Sequence, residues 1–416
     1  METKKLEDED AKDWSYRGEG ALNIVLAYIG TSPQFVGKVL RIQKSGIEKK
    51  PSESPLTDVE RIIWKEASEL ANCQTKEMVN HLYGLLVMSP LLDPSRVDAG
   101  LPLLVSKDFL SAVERTTKRV RPPSRVAAAQ IDLSRCVAFL MSDHSLFPPG
   151  GPSLSVEIKP KCGFLPTSDF IDERFSFKKN TSRYRMHQLL KLERKEISEM
   201  SRYDPLDLFS GEKGRIYRSL RNLCETPQNN LRVFLDGSII FGGTDDSDGF
   251  EFARKLRAFM CDNSETVSEK FIKLVGDTLI SSGVLDRLLE VQKLDKLDIE
   301  GAIHAYYNVT GERCRVCGGL EDPRKFGGLH SMGTEESMKI VKDYLIAATA
   351  KDCSIMLTFK AAGVGESSHV ITVSHRSYCY KVNYVDLDLK PLRKMEDYYK
   401  LDQNILHNYA LTALRN

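Results

Sequence analysis

SYRGEGALNIVLAYIG, residues 15–30, is interrupted by Gly18-Glu19-Gly20 and reads as strand, glycine turn, strand. FVGKVLRIQK, residues 35–44, supplies a third strand that carries Lys38 and Arg41. Glycines between two strands let backbone amides approach phosphate oxygens closely, although the same pattern also serves as an ordinary tight turn. Three strands at the start of the chain therefore set a β-rich N-terminal unit.

Working outward, Ser45 to Ser54 is charged and reads as a mobile loop, and Thr57 with Glu60 fits a capping box opening a helix to about Asn72. Apolar alternation near 101–109 and 132–141 predicts further strands. FPPGGPS, residues 147–153, prevents regular structure and is the expected hinge between an N-terminal lobe, 1–146, and a larger C-terminal lobe, 154–416. Beyond it SLSVEIKPK (153–161) reads as a strand. Residues 181–200 read as an amphipathic helix with Met186, Leu189, Leu190 and Ile197 in its apolar stripe. Helices are expected over 266–281, 284–294, 298–307 and 334–350. Strands over 353–361 and 378–389 would form a hairpin, and a last helix would start at Pro391. The expected fold class is α+β.

Composition narrows the function. Lys plus Arg is 59 against 58 for Asp plus Glu, a net charge of +1, so affinity cannot rest on overall positive charge as in many nucleic-acid binders. A strongly anionic ligand would need a local concentration of Lys and Arg. The nine cysteines are scattered and odd in number, the N-terminus lacks an apolar signal core, and no run approaches the roughly 20 apolar residues of a membrane span. These features predict an intracellular, cytoplasmic or nuclear protein with thiol chemistry and no membrane partner.

Five constellations carry chemistry. The glycine turn followed by Lys38 and Arg41 on the next-but-one strand is the layout by which kinases cover nucleotide phosphates, though neither a Walker motif nor HRD and DFG signatures are present. Strand alternation would put Glu157, Lys159 and Lys161 on one face. That face could hold a ribose or metal while presenting cations to phosphate, or be a self-compensated surface. Asp386 and Lys390 share a face at the end of the last strand, and Lys390, Lys394 and Tyr398 stand at i, i+4, i+8. Arg183, His187 and Lys191 repeat that spacing, and each stripe is also what a solvated helix face looks like. Asp352 joins an apolar helix to an apolar strand, where it can cap, pair with Lys351, or deprotonate an attacking hydroxyl. His304, Cys314, Cys317 and His330 offer two thiolates and two imidazoles, the donor set of a closed, structural tetrahedral Zn²⁺, with a redox CxxC as the alternative.

RGEGALNIVL, VGKVLRIQK, SVEIKPKCGFLPTS, RMHQLLKLE, YDPLDLFSG, TPQNNLRVF, SGVLDRLLEVQKLDKLDIEGAIH, YLIAATAKDCSIM and YKVNYVDLDLKPL together resemble the inositol-pentakisphosphate 2-kinase family, from about Trp14 to Lys400. E-x-K-P-K is the signature of that family, and the zinc quartet matches its plant-type branch. The resemblance implies a bilobal kinase-like fold, phosphorylation of the 2-hydroxyl of inositol 1,3,4,5,6-pentakisphosphate, and ATP and Mg²⁺ as cofactors. It implies that ATP is held by Gly20, Ala21, Leu22, Asn23, Arg41, Arg125, Ser142, Asp143, His144, Glu157 and Arg232, with Asp386 holding magnesium. The inositide would lie among Lys159, Lys161, Lys191, Asn229, Lys390, Lys394 and Tyr398, with Asp352 as base and Lys159 as the second catalytic residue. The resemblance leans to a monomer and gives no role to nucleic acid.

Three features depart from the family pattern: Arg393-Lys394 replaces Lys-Arg, Ser142 replaces Asn, and the loop cation that meets substrate has Lys44, Lys49 and Lys50 as candidates. A silent inositol-phosphate-binding scaffold is the alternative function, and product formation separates the two.

Overall fold

Apolar alternation and glycine placement build two sheets. The computed structural model of the protein describes residues 5–20, 22–46, 54–147, 151–243, 249–320, 323–363 and 369–413. Strands β1 (Trp14–Glu19), β2 (Asn23–Tyr28), β3 (Lys38–Gly46), β4 (Leu101–Leu104), β5 (Ala129–Ile131) and β6 (Val137–Ser142) form the first, in order β1-β2-β3-β6-β4 with β5 on β3. Strands β7 (Leu154–Ile158), β8 (Leu231–Leu235), β9 (Ser238–Phe241), β10 (Ser354–Ala361), β11 (Val370–Val373) and β12 (Arg376–Val385) form the second, in order β11-β12-β10-β7-β8-β9. Every ladder within both sheets is antiparallel. With the helices around them they make a mixed α+β architecture.

Each sheet has its own core. Ile24, Leu26, Leu40 and Ile42 of the first sheet bury against Phe109, Leu110 and Val113 of the helix Lys107–Thr117. The larger core joins Val156, Ile158, Ile355, Leu357 and Val233 of the second sheet to the helices around it. Leu56, Trp64, Tyr83 and Met88 belong to this larger core, so the segment carrying them packs with the C-terminal half despite preceding β4 in sequence.

Several expectations are corrected by local chemistry. The strand expected over 101–109 stops at Leu104. The Ser106 hydroxyl then accepts from the Phe109 amide at 3.0 Å and caps the helix instead. The Thr57–Glu60 capping box is present, with Glu60 N donating to Thr57 Oγ1 at 3.2 Å and Thr57 N to Glu60 Oε2 at 2.8 Å. Its helix nevertheless ends at Ile63 rather than Asn72, because the chain turns to bury Trp64 edge-on against Tyr83, and a second short helix spans Ser68–Ala71. β7 ends at Ile158, since Pro160 has no amide to continue a ladder and Lys161 adopts a φ of 63°. Strand alternation therefore does not align Glu157, Lys159 and Lys161. The helix expected over 181–200 spans Arg183–Glu193 and ends before Lys195 at φ 57°, which leaves Ile197 outside its stripe. β12 ends at Val385 because Asp386 turns at φ 63°, and the last helix begins at Lys394, with Pro391 accepting the Lys394 amide in the turn before it. β10 and β12 pair as expected, but β11 intervenes between them in the chain. The 45–54 loop falls mostly outside the described residues, as do Pro148–Gly150 of the expected hinge; Ser45 and Gly46 extend β3.

Candidate active site

The candidate residues come from both sheets and the segments beside them, which are tied by contacts such as Arg41–Asp388 and Arg17–Gly237. On the first sheet, the hairpin between β1 and β2 closes through Gly20 N to Asn23 O at 2.9 Å. Ala21 lies outside the described residues, and Leu22 is exposed. The hairpin is held from beneath by a buried charge cluster: Glu19 takes two bonds from Arg121, at 2.8 and 3.0 Å, and pairs with Lys44, whose ammonium also donates to Gly20 O at 2.7 Å. Lys44 and Glu19 are each only 2% exposed in their side chains, so Lys44 braces the glycine turn and is not a candidate for substrate contact. Lys49 and Lys50 lie outside the described residues.

Arg41 on β3 points across to the other sheet's segment, its Nη2 bound to both oxygens of Asp388 at 2.5 and 2.6 Å, with Asn23 alongside at 3.4 Å from the same carboxylate. Asp388 was not among the expected site residues. It stands two positions after Asp386 in the D-L-D repeat, and that repeat was its signal. Leu387 and Leu389 are buried, whereas Asp386, Asp388 and Lys390 beside them stay partly or fully exposed.

After β6, Ser142 N donates to Asp98 Oδ2 at 2.8 Å, and Ser142 Oγ accepts from Lys38 at 3.3 Å. Asp143 is engaged by Arg17 at 2.7 Å, and Arg17 reaches on to Gly237 O in the β8–β9 turn. The His144 ring lies 3.6 Å from Asp98, and its carbonyl accepts from Thr358 Oγ1 on β10. Burial pushes the Asp98 carboxyl up, but His144 and the Ser142 and Gly100 amides outweigh it and hold it at about 2. No sequence pattern marked Asp98. Arg125 is exposed on the short helix Pro123–Ala128, and its carbonyl accepts from Arg121.

On the second sheet, Glu157 on β7 pairs directly across the ladder with Arg232 on β8, with side chains 3.5 Å apart, and accepts from Ser354 Oγ at 2.8 Å. Beyond the strand, Lys159 is 3.5 Å from Asp386 and is fixed by reciprocal backbone and side-chain bonds with Asn230. Lys161 and Lys390 converge on Asp352, at 3.1 and 2.9 Å. The Pro160–Lys161 turn that breaks the strand is what aims Lys161 there; Tyr203 OH fixes the Pro160 carbonyl at 2.8 Å.

Asp352 is the last residue of the helix Thr334–Asp352, and its side chain stays 55% exposed. Partial removal from water pushes its carboxyl up, but Lys161 and Lys390 outweigh this and hold it at about 2. Burial, then the Asp352 charge, pushes the Tyr398 phenol up to about 12. Lys191 is half-buried, its ammonium pushed down by burial and by the nearby Lys161 charge. Between it and Arg183, His187 is held down at about 3 by burial and by Arg183, Lys191 and Lys161, so it is neutral in a markedly cationic pocket. Asn229 is exposed in the turn before β8, and Lys394 pairs with Asp397 at 3.0 Å at the start of the last helix.

The structure thus brings together Lys159, Lys161, Asp352, Asp386 and Lys390, and separately Asn23 and Arg41, through Asp388. Glu157 and Arg232 form a third pair. Arg125, Asn229 and Lys394 make no side-chain contact with these groups.

Away from these residues, the helix Asp298–Thr310 carries His304, which meets the other members of its quartet. His304 Nδ1 is 2.9 Å from His330 Nε2, 3.5 Å from Cys314 Sγ and 3.7 Å from Cys317 Sγ. The two sulfurs are 3.4 Å apart, and Cys317 Sγ is 3.1 Å from His330 Nε2. Tetrahedral zinc, with bonds of about 2.3 Å to sulfur and 2.0–2.1 Å to nitrogen, spaces its ligands about 3.3–3.8 Å apart. Three of these five spacings fall in that range and the two to His330 are shorter, and all four donor atoms lie within 4.8 Å of one another, close enough to share one ion. Burial and His330 hold His304 at about 3, in the neutral form that coordinates metal.

A sequence profile of the family described as inositol-pentakisphosphate 2-kinase matches residues 16–404. The chain is similar to an Arabidopsis thaliana protein named inositol-pentakisphosphate 2-kinase, 48% identical over 426 residues covering 97% of this chain and 94% of the relative. A protein of that name from Oryza sativa subsp. indica is 42% identical, covering 97% and 95%. One from Danio rerio is 29% identical, covering 97% and 94%.

Proposed function

The chain belongs to the inositol-pentakisphosphate 2-kinase family, and from that premise we infer the chemistry of the cleft: it phosphorylates the 2-hydroxyl of inositol 1,3,4,5,6-pentakisphosphate with ATP, giving the hexakisphosphate. The observation that carries the assignment of residues is the convergence of Lys161 and Lys390 on Asp352, with the Lys159–Asp386 pair alongside. Five phosphates bring roughly −8 to −10 charges at about −1.5 to −2 each. A chain of net charge +1 can bind such a ligand only through a local cluster of cations.

We assign the inositide to Lys159, Lys161, Lys191, Asn229, Lys390, Lys394 and Tyr398. Nucleotide is assigned to the glycine hairpin, Gly20 to Asn23, with Arg41, Arg125, the Ser142-Asp143-His144 run, Glu157 and Arg232. The Asp143 carboxylate, committed to Arg17, contributes by fixing that run. The overall arrangement proposed is bilobal and kinase-like, with residues 1–146 as N-terminal lobe, 147–153 as hinge and 154–416 as C-terminal lobe. The helices between β3 and β4 lean on the larger lobe's core. Asp386, more than half exposed beside Lys159, has the hard oxygen donor that suits Mg²⁺. When bound there, the ion supplies charge neutralisation to the transferring phosphate.

In this reading Asp352 accepts the 2-hydroxyl proton as that oxygen bonds to the terminal phosphorus and the bond to ADP breaks. A carboxylate held at about 2 is a weak base. Substrate phosphates that engage Lys161 and Lys390 loosen their hold on Asp352 and let its proton affinity rise on binding. Phosphoryl transfer also depends more on positioning and charge stabilisation than on base strength. The zinc quartet, with four protein ligands and no vacant position, is assigned a structural role.

The test is ADP release by purified protein with Mg-ATP, with and without the pentakisphosphate. Release that requires the pentakisphosphate is expected. Tight pentakisphosphate binding by calorimetry without ADP release would overturn the kinase reading.

A further inference from the structure

A second ionic assembly lies behind the inositide pocket. Lys178 is 2% exposed in its side chain, yet its ammonium meets three carboxylates, Asp298 at 2.6 Å, Glu300 at 3.3 Å and Asp402 at 2.5 Å. Asp402, equally buried, also accepts from Arg183 Nε at 3.1 Å. Asp172 N donates to Glu300 at 2.8 Å. An apolar cluster of Phe175, Met186, Leu190, Ile405 and Leu406 packs the same helices together and keeps water away. Such a buried polar group requires that all its partners be held in place, since an unpaired charge there is costly.

The three helices joined at this point are those the function uses. Asp402 stands one turn beyond Tyr398 on the helix Lys394–Ala413, which begins with Lys394. Arg183 opens the helix that carries Lys191 two turns later. Asp298 and Glu300 open the helix that presents His304 to the metal quartet. Tyr307 of that same helix donates to Glu396 at 3.0 Å, a second tie to the last helix.

We propose that the Lys178–Asp402–Arg183 assembly is a positioning device for the inositide pocket: it fixes the helices bearing Lys191, Lys394 and Tyr398 in register with each other and with the zinc-bearing helix. This rests on the assignment of those three residues to the inositide. None of the buried members touches substrate; they act through the elements they hold. Because the nucleotide residues sit on other elements, loosening the assembly affects one substrate selectively.

The test is steady-state kinetics of the full chain on both substrates. Asp402→Asn leaves Lys178 with two carboxylates and keeps the side-chain volume. Arg183→Met removes a group that is 37% exposed and leaves all three Lys178 pairs. The melting temperature of each variant reports folding. The expected result is a rise of about tenfold or more in KM for the pentakisphosphate, with KM for ATP within about twofold of native. The double variant should be no worse than the poorer single variant, because both changes break the same contact. Arg183→Lys, which can still reach Asp402, should recover most of the loss.

Lys191→Ala and Lys394→Ala are measured alongside. A native pentakisphosphate KM in folded Asp402→Asn, while the two lysine variants lose affinity, overturns the positioning role alone. Additive losses in the double variant overturn it as well, since Arg183 would then act on substrate directly. Native KM in the lysine variants too overturns the pocket assignment and with it this proposal.

Discussion

Replacing Asp352 by Asn separates catalysis from binding in a way the geometry makes quantitative. The carboxylate lies 3.1 Å from Lys161 and 2.9 Å from Lys390, so a phosphate held by those lysines sits about 6 Å from it, twice a contact distance. At that separation two like unit charges repel by about 0.7 kcal/mol at the dielectric of water, a factor of roughly three in affinity. The aqueous limit applies because the side chain is 55% exposed, and salt reduces the figure further. The neutral amide removes this repulsion and keeps the shape. It cannot accept the hydroxyl proton, and losing a positioned base lowers turnover by about 10²–10⁴. The expected result is a fall in kcat of at least about a hundredfold, with the pentakisphosphate dissociation constant unchanged or about threefold tighter. Rate measurements by anion-exchange separation of products, with calorimetry for binding, give both numbers. A kcat within tenfold of native, or binding weakened tenfold, would refute the reasoning.

Other consequences can be checked independently. Zinc content of the purified protein should be one ion per chain, and Cys314→Ser should cost about 3 kcal/mol or more, several degrees in Tm; unchanged Tm would rule out a structural metal. Arg121→Met leaves the buried Glu19 carboxylate to Lys44 and the Tyr16 hydroxyl, and by urea unfolding should destabilise by about 1–3 kcal/mol while raising KM for ATP through the loosened glycine hairpin. Burial pushes the Glu300 carboxyl up to about 7 from the ordinary 4.5, against the pull of Lys178. The folded state then keeps a proton that the unfolded chain releases between those values, so this group's contribution to stability is present at low pH and is lost as pH rises through that window. Melting temperatures between about pH 5 and 8 should fall less steeply in Glu300→Gln than in the native protein, and equal slopes would contradict the assignment.

The legibility of these features in the sequence follows from the range of the interactions behind them. The β1–β2 hairpin, the Thr57–Glu60 capping box and the His304, Cys314, Cys317, His330 quartet are written within a few to a few tens of residues, and each was readable. The E-x-K-P-K element was readable as a cation-rich motif but not as geometry. Period-two alternation predicted one face for Glu157, Lys159 and Lys161, whereas Pro160 ends the ladder and the left-handed turn at Lys161 redirects that side chain to Asp352. Lys44 looked like a loop cation because its partner Glu19 lies across the sheet, and only the three-dimensional pairing shows it to be buried. Asp388 and Asp98 were missed for the same reason: their partners, Arg41 and His144, are remote in sequence. Lys178 carries no signal in the sequence, since its carboxylates come from 120 to 224 residues away. β8, β9 and the helices over 205–225 and 249–260 lie outside the elements expected from the sequence.

The most direct test of the account is the identity of the product. The protein is incubated with Mg²⁺, ATP labelled in its terminal phosphate and inositol 1,3,4,5,6-pentakisphosphate, and the mixture is resolved by anion-exchange chromatography. The account predicts that label leaves ATP and co-elutes with inositol hexakisphosphate; label that stays in ATP, or appears only as inorganic phosphate, would contradict it.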